Sequence, residues 1–187
     1  MYKIENISLS TCIDSDFVKL KRMHYTQGAE EKTWDLVEVH DSVAVLIYHK
    51  VKEAFVLVKQ FRPPVYLKNS DGFTYELCAG IVDKEMSLLE IAQEEILEES
   101  GYAVTLDRIK KVTSFYTSVG FAGAKQELYY VAVDDEDKVS KGGGIHGEAI
   151  EVVYLPVHEA KEFIYNESKV KTPGLMFAMT WWFAKLK

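Results

Sequence analysis

The chain has 187 residues, enough for one sizeable core and too few for two full domains. It is 48% hydrophobic and 12% aromatic with a formal net charge of −7, which excludes a disordered chain and argues against sequence-independent binding of nucleic acid, since that needs a basic surface. The two cysteines, Cys12 and Cys78, are far apart and lack metal-site spacing. No apolar run approaches the length of a membrane span, and the first ten residues hold no signal core, so a cytoplasmic protein with reduced thiols and no membrane partner is expected.

Residues 2–39 contain short extended segments and Trp34. Residues 42–48 and 54–58 are near-continuous apolar runs joined by a charged turn, the pattern of neighbouring buried strands. Residues 73–78 form another extended run leading into Gly80. Leu88, Leu89, Ile91, Ala92 and Ile96 then recur at helical spacing. Ser87 and Glu90 make a capping box at the start of this helix, and Gly101 stops it. Strand patterns follow at residues 110–116, 126–133 and 150–155, and helical ones at 159–165 and 175–184. Strands, helix, strands, helix predict an α/β protein with helices packed on a mixed sheet.

The central helix carries Glu90, Glu94, Glu95, Glu98 and Glu99, and residues 85–107 contain no Lys or Arg. Like charges three and four positions apart repel by a few tenths of a kcal/mol per pair, roughly, when solvated. Glu95 and Glu99 stack one turn apart with Glu98 beside them, so three carboxylates can reach one point. The spacing predicts a cation supplied from elsewhere. Carboxylate oxygens are hard ligands that suit Mg²⁺, Mn²⁺ or Ca²⁺. A solvated acidic face is the alternative.

The segment from Gly80 to Tyr102 resembles the Nudix hydrolase signature: Gly, five residues, Glu, seven residues, Arg-Glu-apolar-x-Glu-Glu-x-Gly-apolar. Gly80, Glu95, Ile96, Glu98, Glu99, Gly101 and Tyr102 fall in register. Met86 stands where the family has its first Glu, and Glu94 where it has Arg. In the family that pair helps hold loop to helix, so one support is expected to be lost, with Glu85 a candidate substitute. His24-Tyr25, Gln27, Trp34-Asp35, Phe61-Arg62-Pro63, Val65-Tyr66, Glu76-Leu77-Cys78-Ala79-Gly80 and Gly142-Gly143-Gly144 followed by Gly147-Glu148 are similar to the branch that cleaves nucleoside diphosphate sugars, near UDP-sugar and ADP-ribose diphosphatases.

The resemblance implies the Nudix fold: an α/β/α sandwich around a mixed sheet over residues 41–187, with a small N-terminal β extension, residues 1–40, as a dimerisation element. It implies hydrolysis of a nucleoside diphosphate sugar with Mg²⁺ (or Mn²⁺), UDP-glucose first and ADP-ribose second, by a homodimer. By the same resemblance Glu95, Glu99 and the Ala79 carbonyl are metal ligands, Glu98 a bridging or water-mediated one, and Glu148 the base that positions or deprotonates water. Glu148 is otherwise an exposed loop acid, and His146 either assists or is a solvent-exposed loop residue. Arg62 grips phosphate oxygens with its guanidinium fork, or pairs with a surface acid. Trp34 stacks a base or braces the extension. Ser118 and Gly120 line the sugar or phosphate pocket, or supply turn chemistry. A sensor that lost turnover and a metal-buffering or interaction domain are the non-enzymatic readings.

Overall fold

The computed structural model describes residues 4–15, 18–145 and 147–186. A two-stranded antiparallel ribbon comes first, β1 (Lys19–Gln27) and β2 (Glu30–Glu38). The chain then builds one seven-stranded sheet from β3 (Ser42–His49), β4 (Ala54–Phe61), β5 (Phe73–Glu76), β6 (Cys78–Ile81), β7 (Lys110–Thr117), β8 (Ala124–Val133) and β9 (Glu151–Pro156). The order is β5-β4-β3-β8-β7, with β6 also pairing β3 and β9 also pairing β4. The β3–β8 pair is parallel and the others are antiparallel, so the sheet is mixed.

The apolar run of β3 explains its central place. Val43, Ala44, Val45, Leu46 and Ile47 are all buried, because helices cover both faces. One face, carrying Ala44, Leu46, Phe55, Leu57 and Leu128, packs on α3 (Val157–Tyr165) and α4 (Pro173–Lys185) through Phe163, Leu175, Met179 and Trp182. The opposite face, carrying Val43, Val45, Ile47, Val56 and Val131, packs on α2 (Leu88–Glu95) through Ile91 and Ala92 and on the turn after it through Ile96. This is the expected α/β/α sandwich.

Three local features differ from the sequence expectation. Residues 73–78 do not form one strand: the chain breaks at Leu77, and β5 pairs with β4 while β6 pairs with β3. A short helix, α1 (Pro63–Asn69), follows β4; Pro63 and Pro64 start it, where a missing N–H costs nothing. Finally, the acidic helix is not α-helical throughout. Residues Ile96–Ser100 form a π-helical turn, which closes on Gly101 in the left-handed conformation at φ 74°. Such turns recur at functional sites.

Candidate active site

Two backbone segments, β6 and the loop at residues 142–148, flank the acidic helix. The capping box of Ser87 and Glu90 fixes where α2 begins, as the sequence predicts. Strand β6 then runs alongside. The Ala79 N–H donates to Glu99 Oε2 at 2.9 Å, and the Cys78 thiol donates to the Glu95 carbonyl at 3.0 Å. A Cβ on Gly80 would overlap the Glu95 carboxylate, so glycine is what lets that side chain lie against the strand.

The loop at residues 142–148 closes the other end. The Gly143 N–H donates to the Glu99 carbonyl at 2.8 Å and the Gly144 N–H to the Glu98 carbonyl at 3.0 Å, satisfying acceptors that the helix terminus leaves open. Gly142, Gly143 and Gly144 all have positive φ, and a Cβ on Gly142 would strike the Glu99 backbone. The glycine run is therefore a cap, and it carries Glu148 to the cluster. The Glu148 Oε2 accepts from the Ile145 N–H at 3.1 Å. His146, expected beside it, lies outside the described residues.

Burial and mutual repulsion dominate the electrostatics. Glu95 is pushed up to about 7, first by burial and then by the fields of Glu98 and Glu148. Glu99, only 4% exposed, is pushed up to about 8 by burial, opposed by the Ala79 N–H and raised further by Glu95 and Glu148. Glu98 and Glu148 thus act on Glu95, and Glu95 and Glu148 act on Glu99. Among the described residues, no three His, Cys, Asp or Glu side chains already converge into a ready cage for an ion.

Arg62, at the N-cap of α1, is half-exposed and is held by Glu76. Its Nε and Nη2 donate to the two carboxylate oxygens of Glu76, both at 2.7 Å. The pair with an acid therefore exists, yet Glu76 is buried in β5 and Arg62 also feels Glu99 and Glu148, so the guanidinium borders the acidic cluster. Glu76, the partner of Arg62, also lines a cavity of about 380 Å³, together with Ala79, Phe115, Ser118 and Gln126 and with Thr172, Pro173 and Gly174 at the start of α4. Ala79 thus faces both the cavity and Glu99.

The remaining expected residues lie at one edge. The Trp34 Nε1–H donates to the Gly120 carbonyl at 2.9 Å, and the Val37 N–H donates to the Phe121 carbonyl at 2.8 Å, so the ribbon is tied to the β7–β8 loop. Trp34 is 54% exposed, leaving its ring open while its N–H is engaged. Ser118 has φ 49° and its carbonyl accepts from Phe121, Ala122 and Gly123, so it both makes the turn and lines the cavity. Gly120 supplies turn backbone and no cavity lining.

One expectation is corrected. One of the glutamates does have a basic partner: Lys84 Nζ lies 2.6 Å from Glu94 Oε2, from just outside the helix. Glu85 is exposed, and the ion pair to Glu94 comes from its neighbour. Sequence reasoning also passed over Glu76 as a functional residue. Its signal was an acid at a core-facing position of an alternating strand, where burial demands a cation.

An α/β sandwich with an acidic helix, a glycine cap and a cavity has counterparts among known proteins. The NUDIX domain model matches residues 38–173. The uridine diphosphate glucose pyrophosphatase NUDT14 of Bos taurus is 36% identical over 98% of this chain and 96% of its own length. The mouse (Mus musculus) protein of the same name is 33% identical over 100% of this chain and 97% of its own. A GDP-mannose pyrophosphatase of Cronobacter sakazakii is 35% identical over 80% of this chain and 71% of its own length. The chain belongs to the NUDIX family.

Proposed function

We propose that this protein hydrolyses the pyrophosphate bond of a nucleoside diphosphate sugar with Mg²⁺ or Mn²⁺, converting UDP-glucose and water to UMP and glucose 1-phosphate. The observation that carries the substrate is the similarity to UDP-glucose pyrophosphatases across nearly the full length of both chains. The donor set supports the metal. Its groups are carboxylates, which are hard ligands for Mg²⁺ or Mn²⁺, and burial and mutual repulsion raise two of them to about 7 and about 8, a cost that a bound cation would relieve. Glu95 and Glu99 would hold the ion, joined by the Ala79 carbonyl, with Glu98 acting through water.

A bound divalent ion supplies charge neutralisation for the pyrophosphate oxygens and an acidified water. The chain's own groups do the rest. The Ala79 N–H and the helix hold Glu99 in place, and Gly80 leaves room for Glu95. Glu148, carried on the glycine cap, faces the cluster from outside the helix and serves as the base that takes the water proton. Arg62 spends Nε and Nη2 on Glu76, which leaves Nη1 to donate to a diphosphate oxygen. The adjoining cavity receives the sugar or nucleoside, with Ser118 in its wall.

The reading extends to assembly and setting. Residues 1–40 form the dimerisation extension of a cytoplasmic homodimer and residues 41–187 the catalytic domain, with Trp34 and Gly120 at the edge where the extension meets the pocket. A GDP-mannose substrate is the second reading, favoured by the relatives of that name. The test is kcat/KM for UDP-glucose, GDP-mannose and ADP-ribose with Mg²⁺ at one pH. UDP-glucose is expected to lead by at least about tenfold, equivalent to about 1.4 kcal/mol in transition-state binding. A tenfold lead for either competitor replaces the substrate, and no product from any of the three removes the hydrolase reading.

A further inference from the structure

The two departures from the family pattern, Met86 and Glu94, have structural replacements. Met86 directly precedes the N-cap Ser87, and it packs against the core cluster that contains Ile91, four positions into α2. That is the arrangement of a hydrophobic staple, which fixes the angle at which a chain enters a helix. Beyond the staple, Lys84 reaches across from the loop between β6 and α2 to Glu94 on the second turn, ten residues on, at 2.6 Å. Glu94 is exposed enough, at 38%, that the pair adds little to global stability. Its position gives it another use: Glu94 adjoins Glu95, and the charged Lys84 is favoured by Glu98 and Glu95 as well as by Glu94.

We propose that Lys84 is a positioning residue for the acidic cluster: its ion pair with Glu94, opposite in polarity to the family's Glu–Arg pair, clamps the β6–α2 loop onto the helix and so fixes Glu95 against Gly80. Three observations converge on this. Gly80, in β6 just ahead of the loop, abuts the Glu95 side chain, so where the carboxylate lies depends on how the helix sits against that strand. Of the loop residues 82–87, Val82 and Met86 pack on the core, while Asp83, Lys84 and Glu85 between them are exposed. Its one ion pair to the helix is Lys84–Glu94 among the described residues.

The inference rests on the hydrolase reading above, and a charge-swap series separates the two. The variants are Lys84→Glu, Glu94→Lys, the double exchange, and Lys84→Met as a neutral removal. Each is read by kcat and KM and, independently of turnover, by calorimetric titration with Mn²⁺ alone. Like-charge single variants are expected to lose about tenfold in Mn²⁺ affinity and in kcat/KM, because small displacements of reacting groups cost factors of ten to a hundred. The double exchange is expected to recover both to within about threefold, and Lys84→Met to fall between. Thermal unfolding should change little throughout. Single variants with wild-type Mn²⁺ affinity, or a double exchange whose losses add, would overturn the proposal. If the wild type cleaves none of the nucleotide sugars while Mn²⁺ affinity still follows the swap, the positioning role stands and the hydrolase reading falls.

Discussion

Glu99 is the residue on which the site turns, because it is nearly buried, hydrogen-bonded by Ala79 and still short of charge compensation. Glu99→Gln keeps its shape and removes its charge. Turnover with Mg²⁺ is expected to fall by about a thousandfold or more, since a lost ligand charge forfeits much of the metal's electrostatic contribution. The folded metal-free protein should be no less stable at pH 8, because a desolvated anion has been removed. Near wild-type turnover at saturating Mg²⁺ would sink the ligand assignment. The pH dependence follows from the same groups. Glu95 and Glu99 titrate at about 7 and about 8 in the folded state, above the ordinary value of 4.5. Between those limits the native chain holds protons that the unfolded chain has released, so metal-free stability falls as pH rises through 7 to 8. The melting temperature without metal should therefore drop from about pH 5.5 to about pH 8.5, and Mg²⁺ should reverse the drop. Calorimetry in buffers of different ionisation enthalpy should show protons released on Mg²⁺ binding near pH 6.5 and almost none near pH 9; equal release at both would contradict the raised values. At this scale the sequence was informative where spacing carries the message. Glu95 and Glu99 are four apart on a helix, and periodicity alone puts them on one side. Glu76 with Arg62 and Lys84 with Glu94 pair through tertiary geometry, which no local spacing encodes.

Among the elements, the β1–β2 ribbon stands apart. Its register puts Met23 opposite Trp34 and Leu20 opposite Val37, and Met23, Trp34 and Leu20 are exposed. An isolated two-stranded ribbon is marginal in water, so the hydrogen bonds from Trp34 and Val37 to the β7–β8 loop are what orient it. Trp34→Ala removes both that bond and the open ring. We expect kcat/KM for UDP-glucose to fall by about tenfold, mostly through KM, as befits a contact made equally in ground and transition states. Unchanged steady-state kinetics would confine Trp34 to bracing. The strands themselves were legible wherever apolar residues run together, as in β3 and β4, or where the helix wears a capping box, as in α2. The break at Leu77 was not, because residues 73–78 read as one extended run and only the sheet order shows that β5 and β6 take different neighbours. Likewise α1 hid behind two prolines, which mark a helix start only once the following turn is known. The π turn at Ile96–Ser100 leaves no trace in an apolar periodicity that ends at Ile96.

For the whole molecule, the exposed apolar ribbon bears on assembly. Leu20, Met23 and Trp34 stand exposed on the ribbon, and a second copy supplying the same ribbon would cover them. Light scattering at assay concentration is expected to give twice the 21.3 kDa chain mass, and an active monomer would refute this. The parallel pairing of β3 with β8 has a different consequence, for how the protein comes to be made. Ser42 meets Gln126 across 84 residues of chain, and the whole acidic helix lies inside that loop. Closing a flexible loop of that length costs on the order of 4 kcal/mol of chain entropy before any contact repays it. The β3–β4 hairpin is local and can form first, but β8 must arrive before Ala44 and Leu128 share a core. During synthesis the ribosome has already released β3 and the acidic helix when β8 emerges. The nascent chain therefore carries its row of glutamates unburied and ordinarily acidic, and the burial that raises Glu99 comes into being only as the later strands and the glycine cap close over it.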